Sequence, residues 1–333
     1  MDFGLSSEQQ QLADAERSWL TRNDPIPRVR AMLDSSPVTL DPNAVSHAAG
    51  AGLLALLTPE VNGGHVDLAV LAEAHGYAAS SLPIADLAIA AWLLGVSSAP
   101  QAPAAAEGEA LFGLTRAPAT LTGLSSPVPM AADMTGVVVV GETDEGDYLS
   151  VVTNPRLDPM STLDLSRSWA RVGFHPSETG RLPLPSGTAG FVRDALAVHR
   201  GMDALGAASR LLEMTVVYAG QRQQFGVPIG SFQAVKHHCA NMALAVEAGR
   251  STLWAGALAL DTAAPAAQRS RAVSSAAAYA KAAAAEVAGT ALQVHGGIGF
   301  TWEHDLHLLL RRIKVDEAMD GTVAEHRAAL VAG

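Results

Sequence analysis

Two short segments gather residue types suited to holding a phosphorylated, flat ligand. The first runs from Gln221 to Gln233 and reads QRQQFGVPIGSFQ. The Arg222 guanidinium is a planar fork that matches a pair of phosphate oxygens, and Phe225 offers a face for a heterocycle. The second, Gln293 to Glu303, reads QVHGGIGFTWE. Successive glycines let a backbone come close to a ligand, and their amides can cradle an anion. Both segments also have plain structural readings. The first suits a helix–helix connection with a solvated arginine, and the second a glycine C-cap that stops a helix. No strand precedes the glycines and the spacing is not G-x-G-x-x-G, so a dinucleotide-binding turn is excluded.

Other reactive types read more simply. His237 with His238, and His304 with His307, lack the third ligand and the H-E-x-x-H spacing of a metal site, so no metal is expected. The Arg311-Arg312-Ile313-Lys314 cluster suits a solvated helix face, with cations near a helix C-terminus. Arg167 suits a structural role in the middle of the chain. Cys239 falls on an apolar stripe and reads as an inert core thiol. Trp254, Trp302 and Phe232 read as helix packing.

Three textures surround these segments. Residues 1–105 look helical: Ser6 and Gln9 have capping-box spacing, and Leu53, Leu54 and Leu57, then Leu68, Leu71 and Ala72, recur at helical intervals. The loop Pro59 to Gly64 separates them. Eleven of the 18 prolines lie between Pro83 and Pro185, which breaks helices there. Short β-branched runs at Val137–Val140, Leu149–Thr153 and Gly190–Val192 then predict a small β domain over 106–193. From 194 to 333 only Pro228 and Pro265 remain. Apolar stripes through Leu205–Val216, Val235–Val246, Ala276–Ala291 and Leu306–Ile313 predict a four-helix bundle, with Thr322 and Glu325 capping a last short helix. The fold class is α+β, mostly α.

The 333 residues carry 22 Lys+Arg against 33 Asp+Glu, a net charge of −11. That excess disfavours nucleic acid and anionic membrane surfaces. A single cysteine excludes an internal disulfide framework and fits a cytoplasmic location. The Ala-rich runs are interrupted by charge, as at Lys281 and Glu286, and read as buried helices rather than membrane spans.

Taken together, RQQFGVPIGSFQAVKHH and QVHGGIGFTWEHDLHLLLRR resemble the two strongest signatures of the acyl-CoA dehydrogenase family. GLLALLTPEVNGG and LDLSRSWARVGF resemble weaker ones, so the likeness covers residues 2–328. The resemblance implies an N-terminal helical domain, a middle β domain and a C-terminal bundle, with FAD at a subunit interface. It assigns Arg222, Gln224, Phe225, Gln293, Gly296 and Gly297 to the pyrophosphate and adenosine of an FAD held largely by a neighbouring subunit. It implies an acyl-CoA substrate and an electron-transfer flavoprotein as acceptor.

Two departures stand out. Where relatives carry a T-E-P-x-A-G-S-D-like flavin cradle, this chain reads Leu114 to Leu121 as LTRAPATL, keeping only Thr115 and Pro118. Where many relatives carry a catalytic Glu in a Y-E-G-T-like loop, it has Asp320 in Ala318-Met319-Asp320-Gly321-Thr322. Asp320 is one methylene shorter, about 1.5 Å of reach, and a misplacement of about 1 Å can cost ~100-fold in rate. Some relatives place the base on the first bundle helix, where Asp203 is the only carboxylate between 196 and 205. The pattern resembles the short partner subunit of two-by-two heterotetrameric acyl-CoA dehydrogenases of actinobacterial steroid side-chain breakdown. Three readings stay open: such a partner of a companion chain that carries the base, a self-sufficient enzyme with Asp320 as base, or a scaffold or acyl-CoA-binding subunit without redox role.

Overall fold

The computed structural model describes residues 4–23, 25–33, 37–117, 124–173 and 180–332. Pro118 to Leu121 of the cradle-like stretch, and Phe174, lie outside them.

The N-terminal helices are α1 (Ser7–Arg22), α2 (Pro25–Met32), α3 (Pro42–Gly50), α4 (His65–Tyr77), α5 (Ile84–Val96) and α6 (Ala102–Ala106). The capping box forms as expected: the Gln9 amide donates to Ser6 Oγ, and the Ser6 amide to Gln9 Oε1. Leu53, Leu54 and Leu56 are buried, but not on a helix. Gly52 takes a left-handed φ of 70° after α3, and consecutive turns then carry the chain through Pro59 to Asn62. The leucine spacing here reports burial rather than helix.

Two small sheets follow. The first has the order β1 (Phe112–Arg116), β3 (Gly136–Thr143), β4 (Gly146–Thr153), β7 (Leu182–Pro183); the second has β2 (Val128–Pro129), β6 (Trp169–Gly173), β5 (Arg156–Met160). β3 and β4 form a hairpin closed by Asp144 and Glu145, with Thr143 opposite Gly146. β1 lies parallel to β3, which sets Arg116 beside Val140. The expected strand at Gly190–Val192 is instead the first turn of α7 (Thr188–Gln221), so the bundle begins ahead of 194. Val192 and residues 194–209 are buried with helical continuity, and a left-handed Gly187 starts the helix.

After α7 come the short strands β8 (Gln223–Gln224) and β9 (Val227–Pro228), then α8 (Gln233–Asp261), α9 (Ala266–His295), α10 (Leu306–Ala318) and α11 (Val323–Ala332). Thr322 and Glu325 cap α11 reciprocally. α7 is the axis of the molecule. Residues 194–209 are buried on every side, against the N-terminal helices and against α8, α9 and α10. α4 and α7 cross with their backbones in contact. A Cβ at Gly76 would stand 2.0 Å from the Asp203 carbonyl oxygen, and one at Gly206 2.0 Å from that of Glu73. Among the described residues no helix is long and apolar enough to cross a membrane.

Candidate active site and cofactor-binding arm

The two motifs meet at the far end of the bundle. Tyr218, one turn before the end of α7, stacks on His295 with ring centroids 4.5 Å apart, and its hydroxyl donates to the His295 carbonyl at 3.4 Å. The Arg222 amide donates back to Tyr218, which sets the RQQFG turn directly beyond that stack. Phe225 and Gly226 both take positive φ, 53° and 81°, where β8 turns into β9. The strained turn projects Phe225 outward until it is 94% exposed. On the other side, Gly296 (φ 59°) ends α9, and a Cβ at Gly296 or Gly297 would meet nothing within 4 Å. Gln293 and Arg222 are exposed, and no ion pair reaches Arg222 among the described residues. Gln224 turns its amide onto the Gln223 carbonyl at 2.8 Å. The six expected cofactor residues therefore lie at the end of the bundle marked by the Tyr218–His295 stack, and all but Gly296 are exposed there.

That end is apolar as well. Phe300 and Trp302 are largely exposed and Phe232 partly so, contrary to the packing role expected for Trp302 and Phe232. Val235 and Cys239 are only half-buried, and the first turns of α8 stand clear of the bundle.

The other candidate, Asp320, sits at the opposite side of the bundle in a left-handed turn, with φ 54° there and 96° at Gly321. Its carboxylate accepts from Arg200 Nε at 3.2 Å. Arg200 comes from the buried middle of α7 and donates its Nη2 to both oxygens of Asp86, at 3.0 and 3.3 Å. Burial would make Arg200 easier to deprotonate, but Asp86 and Asp320 overcome that and hold it firmly charged. The loop itself is pinned from α9: Lys281 Nζ donates to the carbonyls of Met319 (2.6 Å) and Gly321 (2.7 Å). Burial lowers the Lys281 ammonium to about 8.

Asp203, the alternative carboxylate, is wholly engaged. Arg312 grips it with two bonds, at 2.6 and 2.8 Å, and Arg167 reaches it at 2.9 Å. Burial raises the Asp203 carboxyl, yet the two guanidiniums outweigh that and hold it well below the usual range. Arg312 is 0% exposed and leaves the solvated face expected for the 311–314 cluster, while Lys314 stays exposed on it. Its side chain also reaches the Ser80 carbonyl and Ser166 Oγ. Arg167 donates to the Leu82 carbonyl, a structural role as expected. Nearby Asp316 is buried, neither oxygen has a hydrogen-bond partner among the described residues, and burial raises its carboxyl well above the ordinary value.

A cavity of about 290 Å³ opens beside Asp320 and is walled by Arg116, Arg193, Asp194 and Glu325 among others. Thr115, the one hydroxyl kept from the cradle-like stretch in the described residues, does not line it. Thr115 is buried, and its Oγ1 donates to the Ser126 carbonyl at 3.0 Å.

Comparisons with known proteins agree on one family. A family model for the acyl-CoA dehydrogenase C-terminal domain matches residues 190–333. The acyl-CoA dehydrogenase IpdE2 of Mycobacterium tuberculosis is 34% identical over 272 residues, spanning 78% of this chain and 76% of the relative. This chain belongs to the acyl-CoA dehydrogenase family. Its fold matches the ChsE4–ChsE5 complex of Mycobacterium tuberculosis with a TM-score of 0.85 at 21% identity, covering 100% of this chain and 98% of that one. A steroid acyl-CoA dehydrogenase variant, Tcur3481–Tcur3483, matches with a TM-score of 0.85 at 22% identity over 98% and 97% of the two chains.

The residues around Asp320 lie outside the motifs: Arg200, Asp86 and Asp316 have no local pattern, and Lys281 shows in the sequence only as a charge interrupting an Ala-rich helix, although charges inside otherwise apolar helices are a visible signal. His304 and His307 do not share a helix face: His304 precedes α10, where its ring meets His295 edge-on at 4.8 Å. No cluster of three metal-ligating side chains occurs among the described residues.

Proposed function

We propose that this chain is the partner subunit of a heteromeric acyl-CoA dehydrogenase. It lends its arm and glycine turn to an FAD held mainly by a companion chain, and that companion supplies the base. The observation that carries this reading is the contrast between the two sites. The groups that would be lent, Gly296 apart, stand exposed at one apolar end of the bundle. The groups the chain would use for itself are engaged: Asp320 with Arg200, Asp203 with two arginines, Thr115 with Ser126.

Bound in such an assembly, FAD would supply the hydride acceptor for α,β-desaturation of the acyl-CoA. This chain's part is binding. Arg222 offers paired N–H groups to the pyrophosphate, the Gln224 and Gln293 amides donate beside it, and the Gly296 and Gly297 backbone leaves room for close approach. Phe225 covers a flat ring and, with Phe300 and Trp302, shields it from water. The complex named for ChsE4–ChsE5 and the steroid enzyme named for Tcur3481–Tcur3483 support a two-chain assembly and a steroid-derived acyl group. An electron-transfer flavoprotein fits as acceptor.

Co-expression with the companion chain, followed by a flavin count, tests the reading. One FAD per pair of chains is expected, with little flavin on this chain alone. A yellow, fully active homo-oligomer of this chain overturns it. The contact of Asp320 with the 290 Å³ cavity favours the second reading, a self-sufficient enzyme.

A further inference from the structure

A larger groove of about 520 Å³, bounded by the β3–β4 hairpin, Arg181 and the start of α7, adjoins the cavity beside Asp320. Arg116 and Arg193 line both chambers. They come from different elements: Arg116 ends β1, and Arg193 projects from the first turns of α7.

The carboxylates of the inner chamber are engaged by other groups. In the inner chamber, Asp320 is answered by Arg200. Asp194 is answered by Arg269 Nε at 2.9 Å and Ser270 Oγ at 2.6 Å. Glu325 accepts from the Thr322 amide and hydroxyl, and stands in the first turn of α11, where the helix dipole favours a negative charge. Arg193 lies 3.8 Å from Asp194, too far for a hydrogen bond to a carboxylate already taken. Arg116 has no ion pair among the described residues, and its Nε is buried without a hydrogen-bond partner. In the outer chamber Arg181 lies over the Tyr148 ring, with Glu142 and Asp144 on the facing hairpin. Arg116 and Arg193, which line both chambers, are therefore cations that no carboxylate holds within hydrogen-bond distance among the described residues. A buried, unpaired guanidinium N–H is costly, and an oxyanion is the group that relieves it.

We propose that Arg116 and Arg193 form an oxyanion-binding neck that takes an anionic group of the acyl-CoA. The chemistry is a carboxylate or phosphate oxygen pair: a carboxylate on the acyl chain, or a phosphate of the coenzyme. The class of ligand rests on the second reading above, in which this chain's own cavity takes the acyl-CoA; the arginine pair does not. A carboxylated acyl group reaching this neck would lie next to Asp320, on the side of the bundle opposite the flavin-lending arm.

The test is a calorimetric titration of the isolated protein, with any chain that co-purifies, using glutaryl-CoA, butyryl-CoA and free coenzyme A. Binding of at least one is expected, and Arg116→Gln with Arg193→Gln should weaken it about tenfold or more. If the neck takes an acyl carboxylate, the variants lose affinity for glutaryl-CoA and keep it for butyryl-CoA. If it takes a coenzyme phosphate, all three weaken together. Arg116→Lys with Arg193→Lys should restore part of the affinity. Unchanged affinities in the Gln variants, or no binding of any of the three to the wild type, overturn the proposal. The flavin count is a separate measurement, so failure of the self-sufficient reading and failure of the neck are told apart.

Discussion

Arg200 Nε donates to Asp320 across 3.2 Å, and the same guanidinium holds Asp86. One arginine in the middle of α7 thus ties the loop that would carry a base to α5 of the N-terminal layer. A general base needs an oxygen aimed at its substrate, and this carboxylate already uses one of its two as a tether. Asp320→Asn in the assembled dehydrogenase should therefore leave turnover within about threefold. Loss of about 10²–10⁴-fold, the contribution of a general base, would place the chemistry on this chain instead. Steady-state rates with flavin content checked in parallel decide between them.

Removing the arginine is a different matter. Arg200→Met leaves Asp86 ionised or protonated in a buried site without its partner. Breaking such a pair from one side costs about 3–5 kcal/mol. Urea unfolding should show that loss, and Asp86→Asn in the same background should recover part of it.

The arm makes the opposite prediction. Arg222→Ala and Phe225→Ser alter exposed side chains, so stability of the isolated chain should change by less than about 0.5 kcal/mol. Flavin retained by the assembled pair should fall, for Arg222→Ala by about tenfold or more in affinity, the scale of a charge-assisted hydrogen bond. Flavin absorbance after gel filtration reads this directly.

Acid should weaken the fold through His65. Its Nδ1 lies 3.0 Å from His199 Nε2, and burial holds its ring at about 4, below the 6.5 of a free histidine. Between those values the unfolded chain binds more protons, so stability rises with pH. The contribution is complete above about 6.5 and disappears as pH falls through about 4, with a ceiling of about 3 kcal/mol. His65→Gln should lose less stability than the wild type between pH 7 and pH 4.5, measured by denaturant midpoints.

The α4–α7 crossing is equally exposed to test. With the Glu73 oxygen 2.0 Å from a Cβ at position 206, Gly206→Ala must push two backbones apart. A loss of about 1–3 kcal/mol is expected from such overpacking, read as a lower thermal midpoint.

Much of this organisation could be read from residue order. The prolines marked the middle domain, the small-residue stripes marked the bundle, and the arm and glycine turn stood out by composition. Local signals of that kind depend on neighbours in the chain, and the structure keeps them. Arg312 shows where such reading ends. Beside Arg311 and Lys314 it looks like one more solvated cation, yet Asp203, Ser80 and Ser166, each more than a hundred positions away, surround it. Gly190–Val192 erred in the same way: three residues suited to a strand were drawn into a helix by the burial of Asp194 to Ser209. Phe232 and Trp302 erred in the other direction, because apolar residues predict burial without saying which chain provides the cover.

Arg312 also bears on how the molecule comes apart. Its guanidinium joins the loop between α4 and α5, the middle domain and α7 through Ser80, Ser166 and Asp203. No one layer can melt alone without stranding an ion in the other two. The three textures seen along the chain are thus divisions of architecture but not of cooperativity. Heat should remove them in a single transition, and a fragment cut at the start of the bundle should not fold.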